Sequence, residues 1–236
     1  MNLFVSQNIE NQIAYFSAEE SHHAVKVLRL SLGSMVKFID GNGGRYEGEL
    51  IFVSKSQMQV KILSSFFDSK TRNYHLHVAI APTKNMERIE WFLEKAVELG
   101  IDEITFLICE RSERRVLKMD RLQKIMESAV KQSLQSFMPK MNSLISFTTF
   151  LKSANLLGTN RFIAHCYPTD FEKISLNSLK SDSGNYIFLI GPEGDFSIEE
   201  IEKAKQHQFV DLDLGENRLR TETAGLLICA GMALNK

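Results

Sequence analysis

Two hydrophobic rhythms divide this chain. Over residues 1–67 apolar and polar positions mostly alternate, the period of strands buried on one face. Met35–Asp40 and Arg45–Val53 flank the glycine-rich turn Gly41–Gly44 and read as a hairpin, and Met58–Leu63 alternates again. One stretch departs from this: Glu19–Leu30 carries Ala24, Val25, Val27, Leu28 and Leu30 and reads as a short helix capped by Ser17 or Ser21. Short strands separated by turn signals predict a small β-barrel. The alternation breaks at Ser64–Asn73, which places a linker there and divides the chain into a β domain over 1–70 and a second domain over 71–236.

Beyond the linker, strand and helix periods alternate. His75–Ala81 reads as a strand, and Met86–Leu99 as a helix with Ile89, Leu93, Ala96 and Val97 on one face and Gly100 as its stop. Ile101–Cys109 is a strand and Asp120–Phe137 a helix with Leu122, Ile125, Met126, Ala129 and Val130 inward. Arg161–Cys166 and Tyr186–Ile190 read as apolar strands of the kind covered on both faces. Ser197–Gln208 is a helix opened by a capping box of Ser197 with Glu200, Val210–Leu214 a strand, and Glu222–Leu234 a final helix. Such alternation predicts an α/β domain built on a mainly parallel sheet.

Composition adds little. The chain of 236 residues is 44% hydrophobic and 24% charged, ordinary for a protein with a real core. Its net charge of −1 advertises no polyanion, but Arg111–Lys140 holds eight basic residues against three acidic ones. That run is a candidate nucleic-acid contact or a solvated helix face. The cysteines Cys109, Cys166 and Cys229 each lie in an apolar run and read as buried, reduced core residues. No histidine or cysteine pair has metal-ligand spacing, so no metal is expected. Neither a secretory leader nor an apolar run of membrane-spanning length is found, so the expected location is the cytoplasm.

The candidate chemistry lies in two late loops. The apolar strand ending at Ile190 runs into Gly191-Pro192-Glu193-Gly194 and then the capped helix. Open α/β sheets bind ligands beyond the carboxyl ends of their strands; glycine there admits close backbone approach and proline fixes the turn. The arrangement recurs from Leu214 and Gly215 through Asn217, Arg218, Leu219 and Arg220 into a helix at Thr221 and Glu222. Glu222 suits a first helical turn and Thr221 an N-cap, but two arginines at a carboxyl edge suit a phosphate or a polarised carbonyl. Gly-x-Gly-x-x-Gly and Gly-x-x-x-x-Gly-Lys-Ser/Thr are both absent, which disfavours a classical NAD enzyme or P-loop NTPase. Spacing alone reaches an α/β enzyme with a C-terminal ligand site.

These loops resemble the SPOUT class of RNA methyltransferases, and specifically the RsmE family, which methylates N3 of a uridine in 16S ribosomal RNA. The resemblance rests on Ile190–Ser197 and Leu214–Ala224, supported by Glu90–Gly100, Glu110–Ser112 and Glu127–Ser133. In the first domain His22-His23, Val27–Arg29 and Asp40-Gly41 also match. The family usually has a second glycine where Asp195 stands, and often an arginine where Asn217 stands. The resemblance implies a PUA-like RNA-binding barrel, a SPOUT-type domain with a trefoil knot, S-adenosylmethionine as cofactor, and a homodimer. Small-subunit ribosomal RNA, or the assembled subunit, is the implied partner.

On this reading Gly191, Pro192, Gly194, Leu214, Gly215, Leu219 and Thr221 hold the cofactor, Arg220 stabilises the developing anion, and Glu193 or Glu222 assists proton removal. Lys26, Arg29, Arg111, Arg114, Arg115 and Arg218 are the expected RNA contacts. His22 and His23 read as packing residues of the first helix, and Trp91 as core or interface. The alternatives are a related knotted methyltransferase with another RNA target, or a non-catalytic RNA-binding assembly factor.

Overall fold

The computed structural model describes residues 2–70, 72–153, 159–168, 172–179 and 183–234. The chain forms two compact units, one of Met1–Thr71 with Glu127–Met138, the other of Arg72–Met126 with Pro139–Lys236.

The first unit is a closed five-stranded barrel. Its strands are β1 (Leu3–Glu10), β2 (Ile13–Phe16), β3 (Met35–Ile39), β4 (Gly44–Val53) and β5 (Met58–Phe67), ordered β1-β2-β5-β4-β3. The inward residues of the alternating pattern, among them Phe4, Phe16, Phe38, Leu50, Met58 and Val60, fill the barrel. Ser64–Phe67, assigned to the linker by pattern, continues β5, because it pairs with Gly44–Glu47 of β4. The predicted helix over Glu19–Leu30 is shorter and irregular. The helix α1 (Ala18–His22) is capped by Ser17, whose hydroxyl accepts from Glu20 N at 3.1 Å. It widens into a π-helical turn over His23–Val27 and stops where Arg29 takes a φ of +53°. His22 and His23 are exposed there, and the His23 ring nonetheless packs edge-on against Phe4 of the barrel core at 6.2 Å.

Residues 133–137 close the predicted helix Asp120–Phe137, but the observed helix, α3 (Met119–Gln132), stops short of them. Leu134 has a φ of +54°, and the chain then lies along the barrel's Gly41–Gly43 loop. Gly43 N donates to Ser136 O at 3.0 Å and Met138 N to Gly41 O at 2.8 Å. Glycine is required at Gly43: its φ is +100°, and an added Cβ would stand 2.7 Å from the Phe137 ring.

The second unit is a seven-stranded parallel sheet with helices, ordered β10-β12-β9-β11-β6-β7-β8. The strands are β6 (Tyr74–Ile80), β7 (Glu103–Ile108), β8 (Lys140–Ser146), β9 (Thr159–Ala164), β10 (Ile174–Ser175), β11 (Gly184–Ile190) and β12 (Val210–Asp213). Its helices are α2 (Met86–Glu98), the start of α3, α4 (Phe147–Ser153), α5 (Ile198–Gln206) and α6 (Thr221–Leu234). The central strands β6 and β11 are nearly all buried, each large aliphatic side chain contributing about 1.5–3 kcal/mol. β8 and α4 escaped the sequence reading: the one is amphipathic only in part and the other too short to show a period. The last helix packs tightly on α2, since a Cβ on Gly225 would come 2.6 Å from the Phe92 ring.

Because every strand runs the same way, the turns after β6, β7, β9, β11 and β12 leave one edge of the sheet together. The site is built there.

Candidate active site

The two motif loops follow β11 and β12, which flank β9, and their union is direct. Thr221 is not used as a helix cap; its buried hydroxyl donates to Gly191 O at 3.0 Å and ties the second loop to the first. The β11 loop is fixed on every side. Asp195 N donates to Pro192 O at 2.9 Å, and Lys84 N, from the turn after β6, donates to Glu193 Oε1 at 2.9 Å. A Cβ on Gly191 would lie a tight 3.1 Å from Phe196, so a larger residue there would press on the loop.

The departure at Asp195 is accounted for locally. Its φ is +64°, the left-handed region that glycine enters freely and other residues rarely enter. Here the carboxylate offsets that cost, accepting from Cys166 N and from Phe196 N, each at 2.8 Å.

Between the loops lies a cavity of about 580 Å³. Every predicted cofactor residue except Gly194 lines it: Gly191, Pro192, Leu214, Gly215, Leu219 and Thr221. Ala164, Ile190, Leu212 and Ala224 add apolar wall, and His165, Cys166, Lys173, Asp195 and Asp213 add polar wall. Gly194 serves next door, where its carbonyl accepts from Arg111 at 3.0 Å. The volume and the mixed lining suit a small molecule with an apolar ring and a charged end. Cys166 corrects the reading of three buried cysteines: it is exposed, while Cys109 and Cys229 are buried and their thiols pushed up by burial.

Arg218 and Arg220 border this cavity and also a second one of about 600 Å³, lined by Asn85, Arg88, Trp91 and Glu222. Both guanidinium groups are exposed, and among the described residues neither makes a hydrogen bond or an ion pair. Glu222 is buried, its Oε1 lies 3.7 Å from Arg88 Nε, and its Oε2 has no partner. Trp91 lies 44% exposed, so in this chain it is not a core residue.

The other predicted contacts are dispersed. Arg111 is built into the site, reaching Gly194 O and the Tyr167 hydroxyl and lying over the Tyr167 ring. Arg114 donates to Lys84 O at 2.6 Å and Arg115 to Glu110 O at 3.4 Å. Lys26 and Arg29 belong to the barrel unit and are exposed on its surface. Sequence reasoning missed Lys173, His165 and Arg88, which carry no motif, and the wider role of Glu200. Beyond its capping box, Glu200 accepts from Glu110 N at 2.9 Å and so ties the turn after β7 to α5. Among the described residues no three His, Cys, Asp or Glu side chains group as metal ligands, and no helix is long and apolar enough to cross a membrane.

A model of an RNA methyltransferase domain matches residues 70–233, and a model of an RNA methyltransferase PUA domain matches residues 16–63. The chain belongs to this RNA methyltransferase family. The methyltransferase is 35% identical to a probable rRNA-methyltransferase of Porphyromonas gingivalis, whose structure covers 98% of this chain and 96% of its own with a TM-score of 0.85. A ribosomal RNA small subunit methyltransferase E from Neisseria gonorrhoeae, solved bound to S-adenosyl methionine, is 27% identical at a TM-score of 0.81, covering 98% of this chain and 96% of its own. The Bacillus subtilis protein called ribosomal RNA small subunit methyltransferase E is 26% identical over 235 residues, 93% of this chain and 90% of that protein. The RsmE resemblance carried by the two loops therefore holds along the whole methyltransferase, barrel included.

Proposed function

We propose that this methyltransferase modifies N3 of a uridine in small-subunit ribosomal RNA, with S-adenosylmethionine held between the Gly191 and Leu214 loops. The observation that carries the reading is the pair Arg218 and Arg220, two guanidinium groups without a partner among the described residues, on the wall shared by two cavities. The residues present fit the cofactor: aliphatic wall for its purine, a glycine turn at Gly215 with a φ of +109°, and charged groups for its amino-acid end.

When bound, the cofactor supplies a sulfonium methyl group as electrophile. The protein supplies placement and charge. Gly191, Pro192, Leu214, Gly215, Leu219 and Thr221 form the cofactor wall, and Gly194 holds the loop through Arg111. Loss of the N3 proton spreads negative charge over the uracil carbonyl oxygens, and Arg220 faces that charge. Glu222 is a better proton acceptor than Glu193, because Glu193 already accepts from Lys84 N while one oxygen of Glu222 is unpaired. Arg218, with Lys26, Arg29, Arg114 and Arg115, meets RNA phosphates; Arg111 acts by holding the loop.

On this reading residues 1–70, joined by Glu127–Met138, form a PUA-like RNA-holding domain, and the rest of 71–236 the catalytic SPOUT-type domain with a trefoil knot. The enzyme works in the cytoplasm as a homodimer. Trp91 and Leu227, exposed on α2 and α6, support a partner surface, and light scattering of the purified protein tests it. The experiment that tests the function is mass spectrometry of 16S ribosomal RNA from cells lacking the protein. A 3-methyluridine is expected to disappear and to return with the wild-type chain. An unchanged modification profile overturns the assignment.

A further inference from the structure

One wall of the cofactor cavity carries a cation that neither motif loop supplies. Lys173, between β9 and β10, lines the cavity and is partly buried. Its ammonium donates to His165 O at 2.5 Å and lies 3.4 Å from His165 Nδ1. His165 is gripped from the far side, its Nε2 standing 3.0 Å from Asp211 Oδ1, while Asp211 Oδ2 takes Lys205 Nζ at 3.0 Å.

This arrangement fixes the imidazole. An ionised Asp211 only accepts, so Nε2 carries the ring proton and Nδ1 offers its lone pair to the lysine. Burial disfavours a second proton on the ring and outweighs the Asp211 contact that would promote one. A neutral His165 thus takes one ammonium hydrogen at its ring and another at its carbonyl. An ammonium has three, and one remains. Among the described residues no carboxylate pairs with Lys173, so a partly desolvated positive charge stands at the cavity wall without a counterion.

We propose that Lys173 binds the carboxylate at the amino-acid end of the cofactor, with His165 as the positioning residue that sets its direction. The proposal rests on the cofactor reading above and adds the group that recognises one end of it. The arginines are less suited: Arg218 and Arg220 also border the second cavity, where the RNA reading needs them.

The test is calorimetric titration of the full-length protein, without RNA, using S-adenosylmethionine and its decarboxylated form. The two ligands differ in the carboxylate alone. A charge-assisted hydrogen bond predicts that Lys173→Met weakens S-adenosylmethionine binding by about 10- to 100-fold. The decarboxylated form should bind that variant within about twofold of wild type. Lys173→Arg should retain most of the affinity, and His165→Asn should show a smaller loss with the same selectivity. Equal losses for both ligands, or no loss for either in a folded Lys173→Met protein, overturn the proposal. If the wild-type protein binds neither ligand, the cofactor reading itself falls and takes this one with it.

Discussion

The two ends of one parallel sheet are finished in opposite ways. At the amino edge His75, His77, Glu103, Thr105, Lys140 and Asn142 line a cavity of about 710 Å³, yet its central groups answer one another. Glu103 Oε1 accepts from Lys140 Nζ at 2.9 Å and from Asn142 Nδ2 at 2.6 Å, and Thr105 Oγ1 meets His77 Nε2 at 2.8 Å. Burial opposes ionisation of Glu103, but Lys140, His77 and Asn142 together hold its carboxyl below the usual range. Among the described residues the two arginines at the carboxyl edge have no side-chain partner, and Glu222 keeps the only unpaired buried side-chain atom. A closed polar network stabilises; an open one is poised for something that is not protein. Cavity size does not separate the two ends. Unspent hydrogen-bonding capacity does.

The sharpest test of that contrast is Arg220→Ala. Loss of a preorganised charge facing the transition state should lower turnover by about 10²- to 10³-fold, with cofactor affinity changed only a few-fold. Single-turnover rates and calorimetry check the two halves separately, and near wild-type turnover removes Arg220 from the chemistry.

Acid should act at the other end. Burial pushes His77 down to about 4, so between that pH and its ordinary value near 6.5 the unfolded chain binds a proton that the folded chain refuses. Its contribution is therefore complete above about 6.5 and lost as pH falls toward 4, by something on the order of 3 kcal/mol at the lower limit. Urea unfolding across that window checks this, and His77→Gln should flatten the dependence. In the same cluster Thr105→Val strips His77 of its partner and should cost about 1–3 kcal/mol of stability. Turnover per folded molecule should not change. A matching drop in turnover would join the two edges and break the comparison.

The smallest expected effect concerns the tie between the motif loops. Thr221→Val removes the hydrogen bond to Gly191 O and should weaken cofactor binding by about 5- to 10-fold, roughly 1 kcal/mol. Titration calorimetry reads it directly.

Much of this molecule was legible in its amino-acid order. Alternation in the first 63 residues dictated barrel strands, because a period of two leaves one face apolar whatever the neighbours are. The apolar run ending at Ile190 dictated a strand covered on both faces, whereas β9, read the same way, buries only Phe162 and Ile163 and ends before the exposed Cys166. Ser197 with Glu200 wrote the start of α5 into four residues. The loops at Gly191 and Leu214 could be singled out as the site, since glycine, proline and paired arginines at a strand's end are local signals.

Partnership was decided only in three dimensions. Nothing along the chain distinguishes Arg111, tied to Gly194 and Tyr167, from Arg220, whose guanidinium has no partner among the described residues. The order of residues does not tell that Lys140 is neutralised by Glu103 while Lys173 has no carboxylate among the described residues, or that Asp195 can sit in glycine's conformation by bonding Cys166 N. A side chain's intrinsic chemistry is local and travels with the sequence. Whether its charge is spent or free depends on groups tens of residues away, which only the packed sheet brings within reach.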